Sequence, residues 1–255
     1  ATYYTLDHVK AKRKIVFLHN EYDLSGYCPL MDRPYYEKAD RIYCVSNHIT
    51  EELKKIFPTC EDKIKTFYNF TDADWIRERK EGTAPEIKRQ EGVLCLLTAA
   101  RLEYVKAFDV AIQTMALMKR KGIKAVWYVI GEGALHNQLE KEIKEEGVDD
   151  CFFLLGAREN PYPYIAACDI YLQETRFEGF CTSITEAVIL GKRVVASDCG
   201  GNAEQLSYYG TGILTKLEPQ AIVEGIQRAV NEPEMTVDIM CRQRKALERL
   251  KGEAG

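Results

Sequence analysis

The 255-residue sequence lacks the cysteine and histidine patterns of several protein classes. Its nine cysteines include no C-x-x-C pair, and an odd, scattered set in a chain of this length is not a disulfide framework. The four histidines show no metal-ligand spacing with these cysteines, so no metal site is predicted. Disulfide-rich and zinc-stabilised folds are therefore disfavoured, and a reducing, cytoplasmic environment is predicted.

Charge and hydropathy disfavour two further classes. The formal net charge is -4, from 35 basic and 39 acidic residues, so no overall positive field exists to attract nucleic acid. No apolar run approaches the roughly 18 residues that indicate a membrane span. Short basic runs at 10–14 and 119–121 are either solvated faces or contacts with anionic lipid. We expect a cytoplasmic protein, in solution or peripheral at the inner face of the membrane.

Several motifs of nucleotide and ester chemistry are also missing. The sequence contains neither the G-x-x-x-x-G-K-[ST] of a P-loop nor the G-x-S-x-G of a nucleophile elbow. Gly131-x-Gly133 begins a dinucleotide fingerprint, but His136 stands where the third glycine should be. That pair also follows the second predicted strand of its domain rather than the first. P-loop phosphotransferases, α/β hydrolases and dinucleotide-binding enzymes are therefore disfavoured.

Apolar strands alternate with helical patterns along most of the chain. Beyond residue 92, six predicted strands alternate with helices, which indicates an open parallel sheet covered on both faces. The first 70 residues predict strand, helix and strand, too little for a doubly wound sheet. We therefore predict a partial N-terminal Rossmann-like domain with a polar linker at 1–82. A complete Rossmann-like C-terminal domain with a helical tail is predicted at 83–255. Since the chain opens on Ala1, a fragment is expected.

The stretch 176–204, RFEGFCTSITEAVILGKRVVASDCGGNAE, concentrates the candidate chemistry. Glu178 and Glu186 stand eight positions apart across a turn and the start of a short apolar helix. The open end of such a helix offers N–H groups to an anion, so a phosphate-bearing ligand is one interpretation. The alternative is structural, with Ser183-x-x-Glu186 as a capping box and Glu178 as an ordinary loop carboxylate.

Three residues at predicted strand ends are further candidates. Arg101 and Lys106 follow the first strand of the C-terminal domain, where they form either a metal-free diphosphate clamp or two solvated side chains. His19 follows the strand at 15–18, where it is either a site residue or an ordinary loop or core histidine. If the site holds a sugar nucleotide, Glu178 accepts from the sugar and Glu186 from the ribose. The helix amides near 181–183 then meet the phosphates.

These motifs together resemble the retaining glycosyltransferases of family four. EGFCTSITE resembles the family's E-G-F-x-x-x-x-x-E-A signature, and the strand at 191–198 and the G-G-x-x-E segment at 200–204 follow in the same order. Residues 101–109 resemble R-x-x-x-x-K-G-F-D, residues 129–133 resemble I-G-x-G, and 155–169 resemble the family's strand, loop and A-x-D helix. The tract NPYPYIAACDIYLQETRFEGF is similar to bacterial enzymes that build capsular and other envelope polysaccharides. The resemblance covers roughly residues 41–230.

The resemblance implies a GT-B fold and a hexose transfer from a nucleoside diphosphate sugar, UDP favoured over GDP, to a glycan or lipid-linked acceptor. It implies no cofactor and no metal. The carried-over site residues are Glu178 and His19 as catalytic; Arg101, Lys106, Cys181, Thr182 and Ser183 for the diphosphate; Glu178, Gly179 and Phe180 for the donor sugar; Glu186 for the ribose; and Ala157 and Arg158 for the nucleobase.

Three departures from the family pattern stand out. Ala107 replaces the glycine that usually follows the lysine, and Cys181 occupies a small-residue place in the phosphate loop. The glycine-rich loop after the family's first N-terminal strand is absent. We therefore expect this chain to bind donor and to have little activity alone. A non-catalytic sugar-nucleotide-binding subunit and a GT-B-like nucleotide-sugar epimerase stay open as alternatives.

Overall fold

The computed structural model describes residues 2–232 together with Val237 and Ile239. The chain divides into two compact units. Unit 1 comprises residues 1–69, 177–181 and 199–205, and unit 2 comprises residues 70–176, 182–198 and 206–255. Residues 70–82, which the sequence assigns to the N-terminal part, fall in unit 2. The predicted helical tail lies outside the described residues.

Unit 1 contains a three-stranded parallel sheet and three helices. The strands are β1 (Ile15–Leu18), β2 (Arg41–Cys44) and β3 (Ile64–Thr66), in the spatial order β1-β2-β3. The helices are α1 (Thr2–His8), α2 (Pro29–Lys38) and α3 (Asn47–Ile56), with short 3-10 helices at Asp23–Ser25 and Pro58–Lys63. The strand, helix and strand predicted from the sequence are β2, α3 and β3.

Helix α3 begins where its sequence predicts. The side chain of Ser46 accepts a hydrogen bond from the backbone N–H of Ile49 at 3.2 Å, which satisfies one of the free donors of the first turn. Its buried face carries Ile49 and Leu53, both fully buried, against the sheet. This capped start fixes the direction of the N-terminal N–H groups at 47 and 48.

Unit 2 is built on a six-stranded parallel sheet. Its strands are β4 (Leu94–Ala99), β5 (Ala125–Ile130), β6 (Phe152–Leu154), β7 (Ile170–Gln173), β8 (Arg193–Ser197) and β9 (Ile213–Thr215). The spatial order is β6-β5-β4-β7-β8-β9, with Leu96 beside Ile170 and Ile170 beside Arg193. The chain order reverses between β4 and β7, and in open sheets of this type ligands bind beyond the carboxyl ends of the strands at such a point.

The unit 2 helices cover this sheet. They are α4 (Ala73–Arg79), α5 (Phe108–Arg120), α6 (His136–Glu145), α7 (Tyr162–Ala167), α8 (Thr182–Ile189), α9 (Gly200–Tyr209), whose first residues belong to unit 1, and α10 (Pro219–Asn231). The main core packs α5 and α10 against the sheet through buried apolar side chains, among them Trp127, Leu172, Met115, Met118 and Ile226. The predicted core role of the two methionines is confirmed.

Two sequence-based assignments differ from the structure. The polar stretch predicted as a linker contains α4, whose N-terminal N–H groups at Asp74 and Trp75 donate to the carboxylate of Asp72 at 3.1 and 3.0 Å. Seven residues are too few to show a helical period. The G-G-x-x-E segment, predicted as a loop, forms the first turn of α9. Its two glycines permit close packing rather than a loop conformation, as the contacts below show.

Within the described residues no disulfide is formed and no helix is long and apolar enough to cross a membrane.

Candidate functional site

In unit 2, Arg101 and Lys106 lie on one loop beyond the carboxyl end of β4. The Arg101 side chain is 75% exposed, and its Nη1 lies 2.8 Å from the Glu103 carboxylate. An exposed pair of this kind contributes little, so the guanidinium can exchange Glu103 for a ligand anion. Lys106 ends a 3-10 turn at Tyr104–Lys106, one residue before α5. The loop therefore carries two cations beyond the carboxyl end of β4.

Ala107 separates that turn from α5 and adopts a left-handed conformation, with φ of 44°. Glycine reaches this region without steric cost, whereas a β-carbon is disfavoured there. The glycine of the family pattern thus has a conformational reason, and alanine crowds the turn as the sequence indicates.

Helix α8 starts at Thr182, so Ser183 lies inside its first turn. The Ser183 hydroxyl donates to Gln173 Oε1 at 3.3 Å. A capping box needs the serine one residue before the helix, and the structure puts Ser183 two positions later than that. The capping-box interpretation of Ser183 and Glu186 is therefore wrong. Thr182 and Ser183 carry the N-terminal N–H groups that the prediction assigns to the phosphates.

Glu186 lies one turn into α8 and is mostly buried. The Tyr162 hydroxyl, from α7, donates to Glu186 Oε1 at 3.4 Å. Burial raises the pKa of Glu186 to about 7, and the hydrogen bond from Tyr162 opposes this rise. Tyr162 is a neighbour that sequence reasoning missed, because it precedes Glu186 by 24 positions and no local spacing relates them.

Ala157 and Arg158 follow β6 after Gly156. The Arg158 side chain is anchored within unit 2, since its Nη2 lies 2.8 Å from Glu86 Oε1 and its Nε donates to the Tyr164 hydroxyl at 3.1 Å. These bonds fix the local backbone of residues 157 and 158. The assignment of those backbone groups to a nucleobase stays a prediction.

Arg176 is a second residue of unit 2 that the sequence did not single out. Its Nη2 lies 2.6 Å from Asp109 Oδ2, it donates to the Tyr104 carbonyl, and its guanidinium stacks 4.0 Å over the Tyr104 ring. Arg176 therefore ties the residues after β7 to the turn that carries Lys106. The sequence did not predict this ion pair, because 67 positions separate Arg176 from Asp109 and no local spacing relates them.

The Gly131-x-Gly133 pair has a structural explanation. A β-carbon at Gly131 would lie 1.9 Å from the Ala100 carbonyl oxygen, and one at Gly133 would lie 2.4 Å from that of Leu102. Both glycines let the segment after β5 pass directly against the segment after β4.

In unit 1, His19 and the loop at 177–181 are brought together. A β-carbon at Gly179 would lie 2.3 Å from the His19 carbonyl oxygen, so only glycine permits this approach. The backbone of Glu178 in turn hydrogen-bonds the buried carboxylate of Glu21. Glu21 Oε1 also lies 3.9 Å from His48 Nε2. Glu21 and His48 were not predicted, and each lies in a segment without a recognisable motif.

The rest of this loop is held by the segment at 199–205. Cys181 is buried, its N–H donates to Gln205 Oε1 at 2.9 Å, and its carbonyl accepts from Gln205 Nε2 at 2.7 Å. The Phe180 ring packs 5.5 Å from that of Tyr68. The structure thus anchors Phe180 and Cys181 within unit 1, while their roles toward a donor stay predictions.

Glu204, the acid of G-G-x-x-E, caps helix α3. Its carboxylate accepts hydrogen bonds from the N–H groups of Asn47 at 2.7 Å and His48 at 2.8 Å, and from the Tyr68 hydroxyl at 2.7 Å. Gly201 packs against the Glu178 carbonyl, where a β-carbon would lie 1.9 Å from the oxygen. Gly201 and Glu204 of the G-G-x-x-E pattern therefore both make contacts inside unit 1.

Two buried polar side chains follow each other at the end of β7. Gln173 Nε2 and both carboxylate oxygens of Glu174 have no hydrogen-bond partner. Burial in apolar surroundings raises the pKa of Glu174 to about 8. The raised pKa favours the protonated form of Glu174, which lies between β7 and the loop that carries Glu178. No group of three or more metal-binding side chains occurs in the described part of the chain.

Residues 80–246 match the model of the family described as glycosyl transferases group 1. The chain belongs to this family. Among its curated relatives is an N-acetylgalactosamine-N,N'-diacetylbacillosaminyl-diphospho-undecaprenol 4-alpha-N-acetylgalactosaminyltransferase of Campylobacter jejuni. The two are 31% identical over 172 residues, which cover 67% of this chain and 45% of the relative. The amylovoran biosynthesis glycosyltransferase AmsK of Erwinia amylovora is 28% identical, over 66% of this chain and 47% of that protein.

Solved glycosyltransferase structures share the fold of this group 1 chain. The Anabaena protein Alr3699/HepE, in complex with UDP and glucose, superposes with a TM-score of 0.71 at 19% identity, covering 94% of this chain and 71% of that one. WaaG, a glycosyltransferase involved in lipopolysaccharide biosynthesis, gives 0.65 at 14% identity, covering 87% and 70%. The predicted GT-B fold class is confirmed. The chain spans about half the length of the curated relatives it matches.

Proposed function

We propose that the whole protein is a retaining glycosyltransferase of family four. It transfers a hexose from a nucleoside diphosphate sugar, UDP favoured over GDP, to a glycan or lipid-linked acceptor in envelope or capsular polysaccharide synthesis. The observation that carries this proposal is the placement, within unit 2, of Arg101 and Lys106 beyond β4 and of half-buried Glu186 in the helix that follows β7.

Each unit 2 residue has a role matched to its chemistry. Arg101 and Lys106 neutralise the diphosphate, and the N–H groups at Thr182 and Ser183 add hydrogen bonds to it. Glu186 accepts from the ribose hydroxyls. The backbone at 157 and 158 holds the nucleobase.

The unit 1 residues are assigned to the transferred sugar. Glu178 accepts hydrogen bonds from its hydroxyls, and Gly179 and Phe180 line it. Cys181 is assigned to the diphosphate. His19, whose carbonyl touches Gly179, faces the reacting sugar. These assignments rest on the family resemblance and on the contacts within unit 1.

The chemical step needs charge stabilisation more than a protein nucleophile. As the bond between the sugar and the diphosphate breaks, negative charge develops on the leaving phosphate. Fixed cations and helix N–H groups stabilise that charge in place, so the reaction proceeds without a metal or other cofactor. Retention follows when the acceptor hydroxyl attacks the same face from which the diphosphate leaves. The new bond from the sugar to the acceptor oxygen replaces the bond from the sugar to the phosphate oxygen, and the hydroxyl proton passes to the departing diphosphate.

The relatives support the choice of donor and acceptor. The solved structure of Alr3699/HepE holds UDP and glucose, and the Campylobacter jejuni relative is named for an acceptor on diphospho-undecaprenol. A UDP-sugar donor and a lipid-linked acceptor, with peripheral membrane contact at the inner face, are the corresponding proposals for this protein.

Product analysis tests the proposal. The full-length protein is incubated with UDP- and GDP-hexoses, with and without a lipid-linked oligosaccharide and in the presence and absence of EDTA. We expect sugar transfer that requires acceptor, retains the donor's anomeric configuration in the NMR spectrum and resists EDTA. Donor altered without acceptor would instead establish an epimerase, and donor bound without turnover would establish a binding subunit.

A further inference from the structure

A cavity of about 750 Å³ lies within unit 1, separate from the residues assigned to the donor. Ligand sites in proteins have volumes of about 300–1,000 Å³, so it has room for a sugar residue and its neighbours. Its walls come from the turn after β1, from one side of α3 and from the first turn of α9. The cavity is therefore formed by the same elements that hold the loop of Glu178.

Two of the carboxylates in the lining are occupied by the protein itself. Glu52 accepts from the backbone N–H groups of Tyr22 and Asp23 at 3.0 and 2.9 Å, and Glu204 caps α3. Asp23 and Glu51 are exposed on the wall. Glu51 pairs with Lys54 Nζ at 3.0 Å, but an exposed pair of this kind contributes little, so a ligand hydroxyl can still reach its carboxylate. The lining is acidic on balance, because it contains five carboxylates and one lysine, Lys55.

The lining also contains hydrogen-bond donors and apolar side chains. His48 and Lys55 carry N–H donors, and Leu24, which is 55% exposed, and Ile56 supply an apolar wall. A sugar ring has hydroxyls that donate and accept along its edge and an apolar face of C–H groups. The mixed lining suits such a ligand better than a purely apolar or a fully charged one.

Glu21, which is buried, and His48, which is exposed, both line this cavity. Glu21 is 7% exposed, and its Oε1 lies 3.9 Å from His48 Nε2, which is longer than a hydrogen bond. A hydroxyl placed between them can donate to the carboxylate and accept from the imidazole. Since Glu21 also binds the backbone of Glu178, this hydroxyl would lie beside the loop assigned to the transferred sugar.

We infer that the cavity holds an uncharged, hydroxyl-bearing sugar of the acceptor, and that its wall rejects a carboxylate or phosphate on that sugar. Hydroxyls form charge-assisted hydrogen bonds to Asp23 and Glu51, whereas an anion meets these like charges; Lys55 is the one cation of the lining, and the neighbouring Lys54 is already paired with Glu51. The inference rests on the proposed function, because it names the substrate class for the acceptor side of the same reaction.

Saturation-transfer NMR on the full chain with UDP present tests the selectivity. The probes are the methyl glycosides of glucose and galactose and the corresponding glucuronide and galacturonide, at low salt. We expect wild type to bind the better neutral glycoside about tenfold more tightly than its uronide. In the double variant Asp23→Asn, Glu51→Gln this ratio of affinities should fall to about threefold or less, because the substitutions keep the shapes of the two side chains and remove their negative charges.

The matched control is Glu61→Gln, Asp62→Asn, which removes two exposed carboxylates of unit 1 outside the cavity. It should leave the preference as in wild type. Equal binding of neutral and anionic probes, no binding of any probe, or an unchanged preference in the Asp23 and Glu51 variant would each overturn the inference. UDP signals in the same samples report donor binding separately, so a failure of the proposed function is recognised by the loss of those signals.

Discussion

Tyr162 donates a hydrogen bond to Glu186 at 3.4 Å, and the two side chains share a mostly buried site at the junction of α7 and α8. Burial raises the pKa of Glu186 to about 7 and that of Tyr162 to about 12. Glu186 thus changes charge near neutral pH. When it is ionised, both carboxylate oxygens accept hydrogen bonds from ribose hydroxyls, whereas the protonated form carries an O–H donor.

Donor affinity should therefore increase with pH through about 7. Ribose hydroxyls bind the ionised carboxylate, so protonation of Glu186 competes with binding below its pKa of about 7. Titration calorimetry with UDP-glucose, whose diphosphate does not titrate here, should give an affinity several-fold higher at pH 8 than at pH 6. Glu186→Gln should bind more weakly at pH 8 and lose most of this pH dependence.

Tyr162→Phe provides the control for this assignment. The Tyr162 hydrogen bond lowers the pKa of Glu186, so its removal should move the midpoint to higher pH without abolishing the pH dependence. A wild-type affinity that is flat between pH 6 and 8, or one that rises toward acid pH, contradicts the ribose role of Glu186.

The glycines after β5 should not tolerate a methyl group. Gly131→Ala combines a φ of 147° with a β-carbon 1.9 Å from the Ala100 carbonyl oxygen. We expect a loss of roughly 2 kcal/mol or more in the free energy of unfolding, measured by urea denaturation. Gly122→Ala is the matched control, because Gly122 has a φ of 72° and open space around it. It should lose about 1 kcal/mol, from backbone strain alone. Equal losses in both variants would show that the close packing contributes nothing.

Glu174→Gln should stabilise the protein at alkaline pH. The pKa of Glu174 is raised to about 8 by burial, above the value of an unfolded glutamate. The folded state thus holds a proton that the unfolded chain releases, and wild-type stability falls as pH rises from about 5 to 8. Thermal unfolding followed by circular dichroism should show the variant melting about 3 °C or more above wild type at pH 8. The gap should close near pH 5.

Glu91→Gln is the control for that comparison, because Glu91 is exposed on the surface. Its melting temperature should follow wild type at both pH values. If Glu174→Gln melts with or below wild type at pH 8, Glu174 is ionised and stabilised by a group that its surroundings do not reveal.

Much of unit 2 could be predicted from the sequence because its signals are local. The buried strands and the helix face of α5 follow from apolar runs and helical spacing, and Met115 and Met118 lie in the core as that spacing indicates. The order of the motifs also led to the family and the GT-B fold. Ala107 was recognised as a departure, and its left-handed conformation explains why glycine is usual there.

The missed features depend on contacts between distant residues. Glu204 caps α3 from 157 positions away, and Tyr162 reaches Glu186 across 24, so neither bond leaves a local pattern. Helix α4 was too short and polar to show a period, and Trp75 packs edge-on against Tyr162 at 5.5 Å through tertiary structure alone. The burial of Glu174 gave no signal, since an acid beside a strand end predicts exposure.

The central claim is that Arg101 and Lys106 bind the diphosphate of a UDP-sugar, and the dissociation constant for UDP tests it most directly. We would measure UDP binding by calorimetry for wild type, for Arg101→Ala and for Lys106→Ala. The control is Arg120→Ala, which removes the same single positive charge from an exposed arginine at the end of α5. We expect UDP to bind wild type and the control alike, and each of the other variants at least about tenfold more weakly, since a charge-assisted contact is lost. In the complete enzyme the same changes should lower turnover by about 10² or more. UDP binding that is undetectable in wild type, or unchanged by both substitutions, would contradict the account.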